Sequence, residues 1–347
     1  MIVNIISRNT FTLLDVVQVS SYEINLDGDY NGKSTFIVPK KPIADEDDFI
    51  IFHDNEVIFY GIVGTIENEY DCESYTITAI EMPRLFDQKI VLANTNLLAT
   101  GIEDFIANQI TSNFISSDDD LLNIIYLTVT AKSHTPVAAQ PENENGIYNL
   151  CTYIENALTT YGIFIDFEFT KSGINISLEK KAQEGLDIDT VNVTDVTVAN
   201  EVYSISALTK LTVLWDNGTT STTRQFFLKT DRTITEDIDD PDRAKGGSDV
   251  IYSIAQTEAE MIQEAKNQFT NNSYQHKVEF DVLRTSKLIP ESQLYVGHKC
   301  RAKTKNGIKD SMITGIIKAN NSSVISVTLG QLKVTLIEKL KGVEAGK

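Results

Sequence analysis

Cysteine is scarce in this chain of 347 residues, which contains only Cys72, Cys151 and Cys300. The three are odd in number and far apart, and each lies inside a patterned segment. A disulfide framework requires paired cysteines and an oxidising compartment, so the spacing predicts three buried free thiols instead. The 41% hydrophobic residues supply enough apolar material for ordinary cores.

Long hydrophobic runs are also missing. No stretch of about 18 consecutive apolar residues occurs, and residues 1–15 contain no basic region followed by a long apolar core. We therefore expect neither a membrane-spanning segment nor a signal peptide. The length predicts a soluble protein of two or three domains.

Basic residues are outnumbered, with 30 Lys and Arg against 49 Asp and Glu, which gives a net charge of −19. A chain this acidic repels phosphate backbones, so we expect no stable nucleic-acid binding. One interpretation is that self-repulsion keeps the protein soluble. The other is that part of the acid lines a conduit through which DNA slides without sticking. Composition does not separate the two.

Catalytic and metal-binding motifs are absent from the sequence. The four histidines, His53, His134, His276 and His298, stand far apart, and no metalloprotease, nucleophile-elbow, phosphate-loop or dinucleotide pattern occurs. The acidic run 236–242 lacks the glycine and the bidentate glutamate of a calcium loop, so a mobile, solvated loop is expected there and a weak surface cation site stays the alternative. We predict no catalytic, cofactor-binding or metal-ligating residues, no cofactor and no enzymatic activity. A triad built from distant residues stays open, because triads are defined by geometry.

Two stretches near opposite ends of the chain share one pattern, at residues 48–66 and 296–320. Each has a strand-like run, a tight polar turn at 54–55 or 306–307, a returning strand, and then Gly-Ile-Val at 61–63 or Gly-Ile-Ile at 315–317. Such turns between apolar runs are a strong hairpin signal. His53 and His298 fall in roughly matching places. The pattern predicts two related β-modules, as a symmetric assembly would use.

The remaining segments predict an α+β fold that is mainly β, with two related β-barrel-like modules flanking a central α+β domain. We expect a β-module at 1–95, the α+β domain at 96–200, and a β-rich module with one helix at 201–347. Capping boxes at Thr100/Glu103 and Thr257/Glu260 predict two helix starts. Another helix is predicted over 147–161 with Gly162 after its end, followed by a hairpin over 163–178.

Aromatic residues concentrate in the predicted central domain. They are Tyr148, Tyr153, Tyr161, Phe164, Phe167 and Phe169. Core packing explains most of them, whereas a sugar-binding platform would need several exposed on one face.

The order of these segments resembles the baseplate hub, or tail-associated, proteins of tailed bacteriophages and prophages. The residues that carry the resemblance are 48–52 and 60–63 near the N-terminus, and 257–270, 274–280, 288–290, 295–297 and 315–317 towards the C-terminus. The resemblance implies a structural tail protein, sometimes named a tail endopeptidase, that forms a homotrimeric ring of six similar modules. Such a ring joins the tail tube to the tail tip and lets DNA pass.

The resemblance also implies partners and a location. The partners are a distal tail or tail tube protein, a tape-measure protein and tail-tip or fibre proteins, and the location is the virion tail after synthesis in the host cytoplasm. Two alternatives stay open, a cell-wall-degrading tail endopeptidase and a carbohydrate-binding adhesin. Some relatives carry a C-terminal peptidase, lysozyme-like or receptor-binding region, which is not expected here, because only KGVEAGK follows Leu340.

Overall fold

A computed structural model describes residues 1–54, 56–68, 74–91, 101–135, 147–182, 185–203, 208–230, 233–253, 255, 257–272, 276–305 and 307–330. Within these ranges the chain forms 22 strands and three α-helices, which confirms the predicted fold class, α+β and mainly β. Cys151 and Cys300 are buried free thiols, as predicted, while Cys72 lies outside the described residues.

The N-terminal part forms an antiparallel sheet. Its strands are β1 (Ile2–Ile6), β2 (Leu13–Gln18), β3 (Ser21–Asp27), β4 (Lys33–Val38), β5 (Phe49–Asp54), β6 (Glu56–Asn68) and β7 (Tyr75–Glu81). They lie in the order β3-β4-β7-β6-β5-β1-β2. Phe36, Phe52 and Ile77 are completely buried on one face, because alternate residues of a strand point to the same side.

The middle of the chain combines short helices with two small sheets. Its elements are β8 (Lys89–Val91), α1 (Ile102–Ile110), β9 (Leu127–Ala131), β10 (Ile147–Asn149), α2 (Leu150–Asn156), β11 (Ile163–Phe169) and β12 (Ile174–Lys180). A π-helical turn, Ala157–Tyr161, extends α2, and Gly162 ends it with φ 69°, the left-handed conformation expected after a helix. β10 pairs with β8, and β12 pairs with both β11 and β9.

The C-terminal part forms a second sheet with an inserted unit. Its elements are β13 (Leu186–Asp189), β14 (Val196–Tyr203), β15 (Leu208–Asp216), β16 (Ser221–Leu228), β17 (Ile234–Thr235), β18 (Gly247–Ser253), α3 (Glu258–Asn272), β19 (His276–Leu283), β20 (Lys299–Thr304), β21 (Gly307–Ala319) and β22 (Val324–Gly330). The sheet has the order β14-β19-β22-β21-β20-β13. β15 to β18 form a separate sheet, and residues of α3 pack against it in one core.

The two larger sheets repeat the same strand order. The series β3-β4-β7-β6-β5-β1 matches β14-β19-β22-β21-β20-β13 position by position. The first four pairings are antiparallel in both, whereas β1 is antiparallel to β5 and β13 is parallel to β20. The unit from β15 to α3 is inserted between the counterparts of β3 and β4. The strand order therefore supports the duplication that the two hairpins predicted.

A β-bulge in each sheet fixes how the two modules align. The register of β6 with β7 shifts between Val63 and Thr65, and that of β21 with β22 shifts between Ile313 and Gly315. Gly315 is therefore the counterpart of Thr65. The alignment of Gly61 with Gly315 was wrong by four residues, because both Gly-Ile motifs lie near a bulge without marking it.

The hairpins place the two histidines differently from the prediction as well. In the first hairpin Phe49 pairs with Ile62, and in the second Lys299 pairs with Met312. Ile62 and Met312 are both three residues before the aligned positions Thr65 and Gly315, so Lys299 is the counterpart of Phe49. His298 therefore precedes its strand by one residue, whereas His53 lies inside β5. The two histidines are not counterparts.

One of the two predicted capping boxes forms. The amide of Thr257 donates to Glu260, and the amide of Glu260 donates to the Thr257 hydroxyl over 3.3 Å, so the second box is confirmed. The first is wrong in the part that is described: α1 begins after Gly101, and the Glu103 carboxylate accepts hydrogen bonds from Ser133 and Thr135 instead. Thr100 lies outside the described residues.

The domain division stays a prediction, and the strand pairing bears on its second boundary. β13 pairs with β20, and β14 pairs with β19, so residues 186–203 join the C-terminal sheet. The prediction had assigned residues up to 200 to the central domain. We propose that the boundary lies just before β13.

Candidate assembly surface

The two modules meet edge to edge along β3 and β21. The strands are antiparallel, with Gly315 opposite Asp27, Ile317 opposite Asn25 and Ala319 opposite Glu23. This pairing, the β3·β21 junction, joins both modules into one sheet of 13 strands. Sequence reasoning missed it, because strand edges offer the same backbone donors and acceptors whatever the side chains are.

Hydrogen bonds close the β3·β21 junction at both ends. At one end the amide of Gly28 donates to the carbonyl oxygen of Thr314 over 2.8 Å. At the other end the Oδ1 atom of Asn320 accepts from the Tyr22 amide over 3.0 Å and from the Ser21 hydroxyl over 3.1 Å. These bonds satisfy backbone groups just beyond the paired residues, which defines the register.

Apolar side chains bury the inner face of the junction. Leu26 packs against the cores of both modules, and its partner Ile316 is completely buried. The two cores are therefore continuous beneath the junction, and burial of apolar area adds to the backbone hydrogen bonds.

The carboxyl group of Glu81, the last residue of β7, lies beside the end of β3. The Oε1 atom of Glu81 accepts the amide hydrogen of Asp27 over 2.9 Å. Burial raises the pKa of Glu81 from 4.5 to about 8, and the nearby carboxylates of Asp27 and Asp29 add to this effect. The hydrogen bond from Asp27 opposes the increase in part. Glu81 is therefore protonated at neutral pH, which spares the junction one negative charge.

The outer face of the joined sheet is polar and carries more acid than base. Asn25, Ile317, Ser326 and Asp281 lie side by side in one row across four strands, because each is paired with the next. The charged residues of this face on β3, β4, β6 and β19 are Glu23, Asp27, Lys33, Glu67, Lys277, Glu279 and Asp281. Five of these seven are acidic, so the face is negative.

Hydrogen bonds hold some of these acids. The Ser326 hydroxyl donates to Asp281 over 2.6 Å, the Asn200 amide group donates to Glu279 over 3.2 Å, and Lys277 forms an ion pair with Glu279. The remaining surface of β4, β6 and β7 includes Thr35, Thr65 and Thr78 along one row. Neutral hydroxyls and fixed carboxylates offer a phosphate backbone little to bind.

The aromatic residues of the central part face inward or pack between parts of the chain. Tyr153 and Phe164 are buried, and Tyr161, Phe167 and Phe169 are partly buried against the same core. Phe169 stacks on Tyr60 of β6 with ring centroids 4.9 Å apart. The side chain of Tyr148 lies outside the described residues. The five whose side chains are described therefore contribute to one core, and Phe169 packs it against the first module.

The histidines do not come together. Each described one has a separate partner: His53 contacts Asn4, His134 contacts Asp104 over 2.6 Å, and His298 contacts the carbonyl oxygen of Gln293 over 2.7 Å. The side chain of His276 lies outside the described part. Within the described ranges, no group of three or more His, Cys, Asp or Glu is arranged to hold a metal ion.

The acidic run 236–242 is held by Arg224 of β16 and by Lys229, which follows that strand. Arg224 binds both carboxylate oxygens of Glu236 over 2.6 Å and 2.8 Å, and it also binds Glu258 over 3.1 Å. Lys229 lies 3.5 Å from Asp240. The run's composition indicated a solvated loop, but several of its acids have ion-pair partners that only the fold brings near.

No α-helix in the described ranges is long and apolar enough to span a bilayer.

Three solved structures of tail or baseplate proteins illustrate what the chain is similar to. The chain is similar to the prophage tail protein gp18 from Listeria monocytogenes, with a TM-score of 0.58, 12% identity, and coverage of 99% of this chain and 98% of that one. It is also similar to the tail protein from Neisseria meningitidis, with a TM-score of 0.56, 8% identity and 95% coverage of both chains. A chain in the phage P2 baseplate in its activated conformation with Ca matches with a TM-score of 0.50, 10% identity, and coverage of 96% of this chain and 100% of that one.

No protein-family model and no curated protein matches the sequence. The structural matches nevertheless extend over nearly the whole chain. The protein therefore has the fold of phage tail and baseplate proteins, which is the fold that the resemblance implied.

Proposed function

We propose that the protein is a structural component of a bacteriophage or prophage tail, where three copies form the baseplate hub ring between the tail tube and the tail tip. The observation that carries this proposal is the repeated strand order of two modules joined edge to edge. Three copies of two like modules give six similar units around one axis. Such a ring matches a sixfold tube on one side and a threefold tip on the other.

The polar outer face of the joined sheet supports a role in DNA passage. We place this face towards the channel, because its excess of carboxylates and its threonines would repel or fail to hold a phosphate backbone. Stable nucleic-acid binding is not expected. The proposed partners are a distal tail or tail tube protein, a tape-measure protein and tail-tip or fibre proteins, in the virion, after synthesis in the host cytoplasm.

The alternatives have less support. A cell-wall endopeptidase needs a nucleophile, a metal or an acid–base pair, and the described histidines lie apart with unrelated partners. A carbohydrate-binding adhesin needs exposed aromatic side chains, whereas the described aromatics of the central part pack into a core. We therefore propose a non-enzymatic, structural role.

Light scattering on the purified full chain tests the assembly. At −19 per chain, like-charge repulsion opposes the ring, and it is screened when the Debye length falls from about 10 Å at about 0.1 M salt to about 3 Å at about 1 M. We expect the mass to rise with salt towards three times 38.6 kDa. A stable dimer, or tight and salt-sensitive DNA binding, would contradict the proposal.

A further inference from the structure

The β3·β21 junction uses a strand edge that its own module leaves free. β20 pairs with β21 only as far as Met312, and beyond this point β21 has β22 on one side and β3 on the other. The junction therefore forms where a hairpin partner ends and the returning strand continues.

The first module has the same edge on β6. β5 pairs with β6 as far as Ile62, and the backbone of Val63 still bonds to residues 47 and 48. Residues 65–68 then pair with β7 on one side, and among the described strands they have no partner on the other side. This is the edge of β6 that corresponds to the edge of β21 in the junction.

The second module has the matching edge on β14. β14 is the counterpart of β3 and is the terminal strand of the joined sheet, with β19 as its one neighbour among the described strands. Each copy thus carries both halves of a second junction, one on each module. Six strands separate β14 from β6 in the sheet, and the two are not paired within one copy among the described residues.

We propose that residues 66–68 of one copy pair in antiparallel fashion with residues 201–203 of a second copy, which repeats the β3·β21 junction between subunits. This inference rests on the proposed ring. Because the two surfaces differ, the contact is head to tail, and such contacts form a closed ring when the rotation between copies permits closure. Addition of a strand at a free edge is a common mode of β-sheet association.

The register follows from the internal junction. Glu23 pairs with Thr35 in the first module, and Asn200 pairs with Glu279 at the matching position of the second. Glu23 therefore corresponds to Asn200, and Asn25, two residues further on, corresponds to Val202. Since Ile317 lies opposite Asn25, its counterpart Glu67 is placed opposite Val202.

The chemistry at this position agrees with the assignment. Ile66 is partly exposed in the isolated chain, whereas its counterpart Ile316 is completely buried once paired. In the same register Ile66 lies opposite Tyr203, so pairing would cover an apolar side chain at the edge of a core.

Disulfide cross-linking tests the register. We would replace Cys72 by serine in every variant, because it follows β6 closely in sequence, and introduce Glu67→Cys with Val202→Cys. Oxidation of the full chain at about 1 M salt is expected to give covalent dimers and trimers on a non-reducing gel, since Cα atoms of directly opposed residues lie within disulfide range.

Two matched pairs serve as controls. Asn25→Cys with Ile317→Cys occupies the internal junction and is expected to close within one chain, without oligomers. Glu67→Cys with Thr197→Cys uses an exposed residue of the same strand, five positions away, and is expected to give no cross-link.

The outcomes separate this inference from the proposed function. A trimer by light scattering that cross-links through neither intersubunit pair would leave the ring intact and refute the strand contact. Cross-linking through position 197 instead of 202 would refute the register. If no trimer and no cross-link form at any salt concentration, both proposals are wrong.

Discussion

Replacing Glu81 by glutamine isolates the effect of charge at the β3·β21 junction. The Oε1 atom of Glu81 accepts the amide hydrogen of Asp27 over 2.9 Å, and glutamine keeps a carbonyl acceptor but carries no negative charge. Burial and the carboxylates of Asp27 and Asp29 raise the pKa of Glu81 to about 8. The two proteins should therefore behave alike in acid and differ in base.

The size of the difference follows from the two pKa values of Glu81. The unfolded chain loses this proton near pH 4.5 and the folded chain near pH 8, so the stability it provides is complete below pH 4.5 and is lost as the pH rises towards 8. The two pKa values of Glu81 differ by about 3.5, and each pH unit is worth about 1.4 kcal/mol, so the loss in free energy of unfolding has a ceiling of about 5 kcal/mol. Because Glu81 is partly accessible, screening reduces the expected loss to about 2 to 3 kcal/mol.

Hydrogen exchange of the amides in β3 measures the loss of stability near Glu81. This local measurement does not require the whole chain, which has several cores, to unfold in one transition. At about pH 5 the wild type and Glu81→Gln should have equal opening free energies, and at about pH 9 the wild type should open more easily. Glu67→Gln, an exposed change on β6, should leave β3 unchanged at both pH values. Equal exchange of wild type and Glu81→Gln at both pH values would refute the reasoning.

Four further outcomes are expected. Phe36→Ala and Phe280→Ala should each lower the free energy of unfolding by about 3 to 5 kcal/mol, because both rings are buried at counterpart positions, and a loss under about 1 kcal/mol in denaturant would contradict this. Thr257→Ala should cost about 1 kcal/mol in thermal melts, since it removes the cap of α3. Burial opposes ionisation of Glu103, but hydrogen bonds from Ser133 and Thr135 lower its pKa overall, so Glu103→Gln should destabilise the protein at neutral pH and less as the pH falls, as urea titrations would show. Zymography of the wild type on peptidoglycan should show no clearing, and clearing lost on mutation of a single His or Asp would overturn the structural role.

The sequence determined the elements that depend on neighbouring residues. The half-buried strand with Val278, Phe280 and Val282, the capping box at Thr257 and the helix end at Gly162 all follow from contacts within a few positions. Hairpins belong to the same class, because a tight turn leaves one antiparallel partner within reach. The repeated hairpin pattern was enough to predict the duplication.

Features that depend on register were missed or misplaced. The repeated Gly-Ile pair suggested an alignment of Gly61 with Gly315, but the bulges after Val63 and Ile313 set a different one. A bulge is fixed by how two strands pair, and no single residue type announces it. The predicted cap at Glu103 failed for a related reason, since its carboxylate binds a loop 30 residues away.

Only the tertiary structure decided which strand edges meet. Ser21 and Asn320 lie 299 residues apart, yet they bond at the end of the β3·β21 junction. Backbone groups on a strand edge are chemically alike, so the partner is selected by where the two cores place the edges and by which side chains, such as Leu26 and Ile316, become buried beneath them. The pKa of Glu81 is also decided by the fold, because the hydrogen bond to Asp27 joins residues 54 positions apart, and burial and the carboxylates of Asp27 and Asp29 act on Glu81 only where the folded chain brings them together.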